Sequence, residues 1–217
     1  QQVPVMKEVL RAMKIKIVEQ EGLEADDLLG TIAGIGERAG MDVAILSGDR
    51  DLLQLATDHV KIRIPKTKQG KTEIEDYYAA DVKARYQVTP QEFIDLKALM
   101  GDASDNIPGV PSIGEKTATK IITEYGSVEN AYAHVEELKP PRAAKALKEH
   151  YDKAQMSKIL ATIEVNAPIS YELSEAKIGN LYTEEAYEYF QKLQFKNLLG
   201  RFDVEAKGNQ IENAFVR

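Results

Sequence analysis

Three short acidic segments contain the residue types in this sequence that could do chemistry: EADD at 24–27, DRD at 49–51 and DASD at 102–105. Their side chains are hard oxygen donors with no His or Cys among them, the ligand type that selects Mg²⁺ or Mn²⁺. Each segment alone also has a structural explanation, because acids in a first helical turn complement the helix dipole and loop Asp or Ser residues cap helices. A metal site therefore requires that the three segments meet in space.

The neighbouring patterns predict that they do meet. The apolar run DVAIL at 42–46 is typical of a buried parallel strand, and ligands of open α/β folds bind beyond the carboxyl ends of such strands, where Asp49 and Asp51 follow. Seven carboxylates at one edge would repel each other unless cations neutralise them. Two divalent ions about 3.5–4 Å apart can promote hydrolysis of a phosphodiester. The predicted metal ligands are Glu24, Asp26, Asp27, Asp49, Asp51, Asp102 and Asp105.

A candidate phosphate-binding hairpin lies in segment 107–122, IPGVPSIGEKTATKII. A glycine-containing turn precedes a helix in which Lys116 and Lys120 lie one turn apart. This is close to the helix–hairpin–helix pattern, in which backbone N–H groups, a helix N-terminus and lysines bind phosphate without reading base sequence. The predicted DNA-binding residues are Gly109, Val110, Gly114, Lys116, Thr117 and Lys120.

The same segment has two competing interpretations. Residues 109–117 nearly match the nucleotide phosphate-binding loop GxxxxGK[ST], but Glu115 separates Gly114 from Lys116 and no buried strand precedes the segment. We therefore reject a nucleotide site. An ordinary helix–turn–helix joint without a ligand stays open.

The remaining patterns predict an α/β core followed by a helical region. The core alternates helix 3–13, strand 14–19, helix 25–39, strand 42–46, short helix 50–56 and a hairpin of 59–65 with 71–75. The expected later helices are 79–86, 90–100, 115–125, 127–134, 141–149, 151–164 and 183–194. We predict a mostly parallel sheet with flanking helices, divided into a partial metal-binding core at 1–78, a helical DNA-binding region at 79–202 and a linker or tail at 203–217.

Composition limits the class of protein. The 217 residues are 43% hydrophobic and 29% charged, as in a globular chain, and no apolar run is long enough to cross a bilayer. The absence of Cys excludes disulfides, thiolate zinc sites and a Cys nucleophile. The net charge of −7 argues against a generic nucleic-acid binder unless the acids cluster around cations that let phosphate approach.

Taken in order, EADD, SGDRD and GDASDN leading into IPGVPSIGEKTA resemble the 5′ nuclease (flap endonuclease-like) domain of bacterial DNA polymerase I, over residues 1–202. The resemblance implies a PIN-like α/β core and a 5′-3′ exonuclease or flap endonuclease that uses two Mg²⁺ or Mn²⁺ ions in DNA replication and repair. It implies double-stranded DNA with a 5′ flap or junction as substrate, polymerase domains of the same parent chain as partners, and a location at the nucleoid in the bacterial cytoplasm.

The resemblance also implies a role for each predicted ligand. Glu24 and Asp26, with Asp27 close by, would serve the first metal ion. Asp49, Asp51 and Asp105 would serve the second, with Asp102 supporting it through water. In this family hairpin carbonyls often hold K⁺, and the corresponding carbonyls here are those of Val110, Ser112 and Ile113.

This sequence departs from the family pattern at its start. Family members carry a preceding stretch with the first strand, two further metal-ligating aspartates and much of a helical arch, whereas residues 1–23 contain no Asp. We expect the first metal site to be half built and the chain as given to have little or no nuclease activity. We also expect an exposed apolar sheet edge that invites self-association.

Two alternatives from other classes remain. One is a module that binds DNA structure without catalysis. The other is a topoisomerase- or primase-type metal domain, which also sets a Glu before an Asp-x-Asp pair. The second leaves the GDASDN and IPGVPSIGEK segments unexplained.

Overall fold

A small mixed sheet lies in the first half of the chain. The computed structural model describes residues 2–68 and 70–202, so the tail predicted at 203–217 lies outside the described residues. The strands are β1 (Val43–Leu46), β2 (Val60–Lys68) and β3 (Lys71–Tyr77), in that spatial order. β1 pairs with β2 in parallel and β2 pairs with β3 as an antiparallel hairpin. The predicted α/β class and the hairpin are confirmed, and the described sheet holds one parallel pair.

Strand β1 forms an edge of this sheet. Ile45 is buried, but Ala44 is exposed and the side chain of Leu46 is 64% exposed. The prediction of a strand buried on both faces is therefore wrong for β1. Within the described residues β1 has hydrogen-bonded neighbours on one side, so an apolar strand edge is open.

Local sequence signals fix the helices that flank the candidate site. Helix α2 (Ala25–Arg38) begins after Glu24, and a 3-10 helix, Asp51–Leu55, follows β1. After α3 (Ala79–Tyr86), helix α4 (Pro90–Met100) begins at a proline, and the Thr89 hydroxyl accepts the Glu92 N–H at 3.2 Å. Pro at a first helical position and a Thr cap are both favourable. Gly101, with φ +73°, ends α4.

The later helices are α5 (Glu115–Tyr125), α6 (Val128–Ala133), α7 (Pro141–Glu149) and α8 (Tyr151–Ala161). They share a core with α4, in which Leu99, Ile121, Ile122 and Leu147 are fully buried. The expected helix at 151–164 ends three residues early. Beyond α8 the chain leaves the helix and its backbone bonds to side chains of α2 and the 3-10 helix.

The chain divides into two compact units, Gln20–Ile169 and a smaller one of Gln1–Glu19 with Ser170–Arg217. The smaller unit contains α1 (Gln2–Ala12), a 3-10 turn (Leu173–Ala176), α9 (Glu184–Lys192) and helical residues 196–202. Phe190 is buried there and contacts Phe195 and Phe202 edge to face. The predicted division at 78 and 202 stays a prediction.

The predicted strand 14–19 is wrong. Lys14 adopts φ +58° and the Ile15 N–H donates to the Leu10 carbonyl at 2.9 Å, so the first residues of KIKIVE end helix α1. Residues 15–20 then run without a strand partner among the described residues. Within the part of the chain that the structure describes, no helix is both long and apolar enough to span a membrane.

Candidate metal centre

Three carboxylates from two distant segments converge in the larger unit. Asp51, Asp102 and Asp105 each offer one oxygen, and these oxygens all lie within 4.8 Å of one another. Asp51 opens the 3-10 helix after β1, and the other two lie in the loop after α4. The structure therefore brings together three of the predicted ligands in a geometry that could hold a cation.

The loop that carries Asp102 and Asp105 is closed at its base. Asp102 and Ile107 exchange two backbone hydrogen bonds, of 2.9 and 2.8 Å. Below them Gly101 and Gly109 approach so closely that a Cβ on Gly109 would lie 2.4 Å from the Gly101 nitrogen. Only glycine at 109 permits this contact, so the two glycines fix where the loop carboxylates stand.

Lys97 reaches into this cluster from α4. Its side chain is 7% exposed, and its ammonium forms ion pairs with Asp51, at 2.5 Å, and with Asp102. Burial lowers the pKa of Lys97, but the hydrogen bonds that its ammonium donates to Asp102 and Asp51 outweigh burial and leave that pKa above its ordinary value. The Lys97 ammonium and then the Ser104 hydroxyl hold the pKa of Asp102 well below its usual range.

Asp51 has an oxygen suited to a cation. Its Oδ1 is buried, and its close polar contact is the ion pair with Lys97 Nζ at 2.5 Å. Burial is the main reason that the pKa of Asp51 lies above its ordinary value; Lys97 opposes this effect and Asp49 adds to it. A buried carboxylate oxygen beside two further carboxylates fits the donor set of a hard divalent ion.

A second acidic cleft adjoins the triad. It has a volume of about 290 Å³ and is lined by six of the predicted ligands, Glu24, Asp26, Asp27, Asp49, Asp51 and Asp105. Burial first, and then the charges of Asp49 and Asp51, raise the pKa of Asp26 to about 6. Asp102 lines the neighbouring cleft of about 540 Å³, which also contains Asp49, Asp51 and Asp105. All seven carboxylates therefore surround two clefts that share walls.

Several of these carboxylates also have local structural roles. One oxygen of Asp27 accepts the Glu24 N–H at 3.3 Å, and the other accepts the Glu164 N–H at 2.9 Å. Asp49 accepts the Asp51 N–H at 2.9 Å. Asp27 thus begins α2 and anchors the chain after α8, whether or not it also contacts a cation.

The hairpin glycine serves packing. Gly109 and Val110 are buried, and their N–H groups donate to Ser157 Oγ at 2.9 Å and to the Leu99 carbonyl at 2.8 Å. Both donors therefore already have partners inside the protein, and the assignment of Gly109 and Val110 as DNA-binding residues stays a prediction. The Val110 carbonyl accepts the Ile113 N–H at 3.1 Å and Ser112 Oγ accepts Arg142 at 3.1 Å. The K⁺ site at these carbonyls stays a prediction.

A basic groove borders the acidic clefts. It has a volume of about 950 Å³, and its walls include the predicted residues Lys116, Thr117 and Lys120 at the start of α5. Gly114 precedes that helix and is exposed. The groove also contains cations that the sequence did not single out as DNA-binding, Arg50, Lys66, Arg85 and Lys139. It shares Arg50, Tyr86 and Glu115 with the larger acidic cleft. Positive charge is thus concentrated beside the carboxylates despite the net charge of −7.

Comparison with known families gives two matches along the chain. Residues 1–87 match the 5′-3′ exonuclease N-terminal resolvase-like domain, and residues 88–184 match the 5′-3′ exonuclease C-terminal SAM fold. The DNA polymerase I of Bacillus caldotenax is 43% identical over 203 residues, which are 94% of this chain and 23% of that polymerase. The chain thus spans about a quarter of the length of that relative.

Two solved structures share the fold. The bacteriophage T5 D15 flap endonuclease, in a pseudo-enzyme-product complex with DNA and metal ions, has a TM-score of 0.58 and 24% identity over 79% of this chain and 60% of its own. The catalytic core of Rad2 in complex with DNA substrate has a TM-score of 0.60 and 15% identity over 88% of this chain and 63% of its own.

Proposed function

The chain belongs to the 5′-3′ exonuclease family represented in bacterial DNA polymerase I, and we propose that the protein hydrolyses phosphodiester bonds near the 5′ ends and flaps of branched DNA with the help of divalent metal ions. The observation that carries this proposal is the convergence of Asp51, Asp102 and Asp105 within 4.8 Å. The topoisomerase- or primase-type alternative is set aside, since both family matches describe a 5′-3′ exonuclease.

The carboxylates around the two clefts would hold the metal ions. Asp49, Asp51 and Asp105 would bind one Mg²⁺ or Mn²⁺ ion, with Asp102 in support, and Glu24 and Asp26, with Asp27 close by, would bind another. A divalent ion bound there supplies positive charge that stabilises the charge developing on phosphate oxygens. Lys97 favours the ionised forms of Asp51 and Asp102 and orients both side chains, because its buried ammonium contacts both carboxylates.

The basic groove would bind the DNA backbone. Lys116 and Lys120 lie in it, and α5 begins there, so its first N–H groups and the positive end of its dipole favour phosphate. Such contacts position a duplex without reading its base sequence. Since the groove shares residues with the metal cleft, a phosphate chain bound in the groove would lead toward the carboxylates.

Further partners belong to the same proposal. The solved T5 and Rad2 structures contain DNA, and the T5 structure contains metal ions, which supports double-stranded DNA with a 5′ flap or junction as the substrate here. The match to a DNA polymerase I supports polymerase domains as neighbours in the same parent chain, acting at the nucleoid of a bacterial cytoplasm. The open edge of β1 supports self-association, and the hairpin carbonyls remain candidates for K⁺.

Cleavage of a labelled 5′-flap DNA in Mg²⁺ or Mn²⁺ tests the activity, with EDTA and a blunt duplex as comparisons. In the parent chain the flap should be released when the metal is present, and Asp51→Asn should reduce that rate by about 100-fold or more, because the substitution removes a charge at a ligand. Equal rates for Asp51→Asn and the unaltered protein would contradict the assignment.

A module that binds DNA without cutting it is the second candidate. The basic groove favours it, since its cations do not depend on the acidic clefts, and both oxygens of Asp27 already accept backbone hydrogen bonds. Flap binding measured in Ca²⁺ beside cleavage in Mg²⁺ separates the two candidates. Tight binding with no cleavage under any divalent metal favours the module.

A further inference from the structure

Gln54 joins the 3-10 helix of Asp51 to the chain beyond α8. Its Nε2 donates to the Ala161 carbonyl at 2.8 Å, and its Oε1 accepts the Ile163 N–H at 3.0 Å. Both contacts are partly buried and span more than a hundred residues of sequence. The neutral amide of Gln54 uses its donor and its acceptor at once.

The chain that Gln54 contacts, here named the 161–167 segment, is also bonded to α2. The Glu164 N–H donates to Asp27 Oδ1 at 2.9 Å, and the Ala167 N–H donates to the Thr31 hydroxyl at 3.0 Å. Gly30 of α2 packs so closely that a Cβ there would lie 3.1 Å from the Ile163 side chain. The segment therefore connects the start of α2 to the 3-10 helix.

These two connections enclose the acidic residues. Asp26 and Asp27 lie in the first turn of α2, and Asp51 lies one 3-10 turn before Gln54. Residues 160–163 also line the cleft that the six carboxylates surround. The carboxylates around this cleft carry like charges, and their repulsion pushes α2 and the 3-10 helix apart when no cation is bound. The 161–167 segment opposes this separation, because it is bonded to both elements.

We propose that Gln54 is a positioning residue for metal binding: through the 161–167 segment it fixes the separation between the carboxylates of α2 and those that follow β1. This inference rests on the proposed metal-dependent function. Gln54 itself contacts protein backbone, so its effect is on the spacing of the ligands. Groups that hydrogen-bond metal ligands directly typically change metal affinity by about 10–100-fold when removed, and Gln54 acts one step further out, so we expect an effect at the lower end of that range.

Mn²⁺ titration of the metal-free chain by calorimetry and by electron paramagnetic resonance tests the proposal. Gln54→Met keeps the length of the side chain and removes both hydrogen bonds. We expect its Mn²⁺ affinity per folded molecule to fall by about 10-fold, with altered magnetic coupling if two ions bind. Gln54→Glu keeps the acceptor for Ile163 and should show a smaller loss.

A matched control separates positioning from stability. Asn130 donates its side-chain amide to the Tyr125 carbonyl at 2.7 Å in another part of the larger unit, so Asn130→Leu also removes an amide hydrogen bond. The Mn²⁺ titrations are run at a temperature at which circular dichroism shows that every variant is folded. If Gln54→Met and Asn130→Leu both bind Mn²⁺ as tightly as the unaltered chain, the positioning role is wrong. If the unaltered chain itself binds no Mn²⁺, the metal-dependent function fails first.

Discussion

Lys97 Nζ lies 2.5 Å from Asp51 Oδ1 in an interior ion pair whose side chains are 7% and 14% exposed. The same ammonium contacts Asp102, so one cation stands between two carboxylates that are fifty-one residues apart in sequence. In the metal-free protein this lysine offsets part of the repulsion among the acids. It therefore links the stability of the fold to the occupancy of the metal centre.

Replacing this lysine should destabilise the chain in a way that metal reverses. Lys97→Met leaves two partly buried carboxylates without a counter-ion, which we expect to lower the free energy of unfolding by about 3 kcal/mol in EDTA. Mn²⁺ should then stabilise Lys97→Met more than the unaltered chain in urea unfolding. Lys145→Met, which removes an exposed pair with Glu149, should change stability by less than about 0.5 kcal/mol. Similar losses for both variants would argue against the role of Lys97.

The close contact of Gly109 with Gly101 predicts a strong effect of a single methyl group. Gly109→Ala places a Cβ 2.4 Å from a backbone nitrogen at φ +60°, and we expect a loss of about 3 kcal/mol or more. Gly114→Ala meets nothing within 4 Å and should lose less than about 1 kcal/mol. Guanidinium unfolding compares the two. If Gly109→Ala were as stable as Gly114→Ala, the glycine contact would not define the loop.

Asp26 should make the metal-free chain less stable as pH rises. Burial and the charges of Asp49 and Asp51 raise the pKa of Asp26 from 3.8 to about 6, so the folded state holds this proton more tightly than the unfolded state. The stabilisation that this bound proton gives to the folded state is complete below about pH 4 and is lost as pH rises through 6. Asp26→Asn lacks this loss, and in EDTA at pH 7 it should be more stable than the unaltered chain by on the order of 1 kcal/mol.

To check the role of Asp26, the unfolding free energies of Asp26→Asn and of the unaltered chain are compared from pH 4 to pH 7. The difference should grow with pH in EDTA and should shrink or reverse in Mn²⁺, because the asparagine is a weaker ligand. A difference that stays constant across this range would show that neither burial nor the neighbouring carboxylates raise the pKa of Asp26.

The basic groove predicts a salt-dependent loss of DNA binding. Lys116→Ala with Lys120→Ala should weaken binding of a 5′-flap DNA on the order of 10-fold and should lower the slope of log affinity against log salt by about 2. Fluorescence anisotropy in Ca²⁺ at several salt concentrations measures both. Mn²⁺ affinity should not change, since neither lysine lines the acidic clefts. Lys145→Ala, on α7, is the control, and an equal loss with it would refute the groove.

Periodicity and turn residues predicted most helices of this fold within a few residues. The caps at Thr89 and Gly101 and the prolines at 90 and 141 explain why, since these signals act within one turn of chain. Strand 14–19 failed because alternating residues make a strand only where a partner strand binds them. The sequence of KIKIVE contains no information about such a partner.

The acidic cluster was predictable because three segments of one residue type are a strong joint signal. Lys97 and Gln54 were not, since each is an ordinary residue in an ordinary helical pattern, and its importance comes from contacts with segments far away in sequence. The sequence singled out Gly109 as a DNA-binding residue but did not predict its packing against Gly101. Glycine permits both phosphate approach and close packing, and only the contact with Gly101 distinguishes the two.

Crystals of the metal-free chain soaked in Mn²⁺ give the most direct test of a metal ion between Asp51 and Asp105, because the anomalous scattering of the metal locates it. We expect a peak within about 2.6 Å of carboxylate oxygens of both Asp51 and Asp105, and Asp51→Asn should weaken or remove it. A map with no peak between these side chains, or with the two carboxylates turned apart toward solvent, would contradict it.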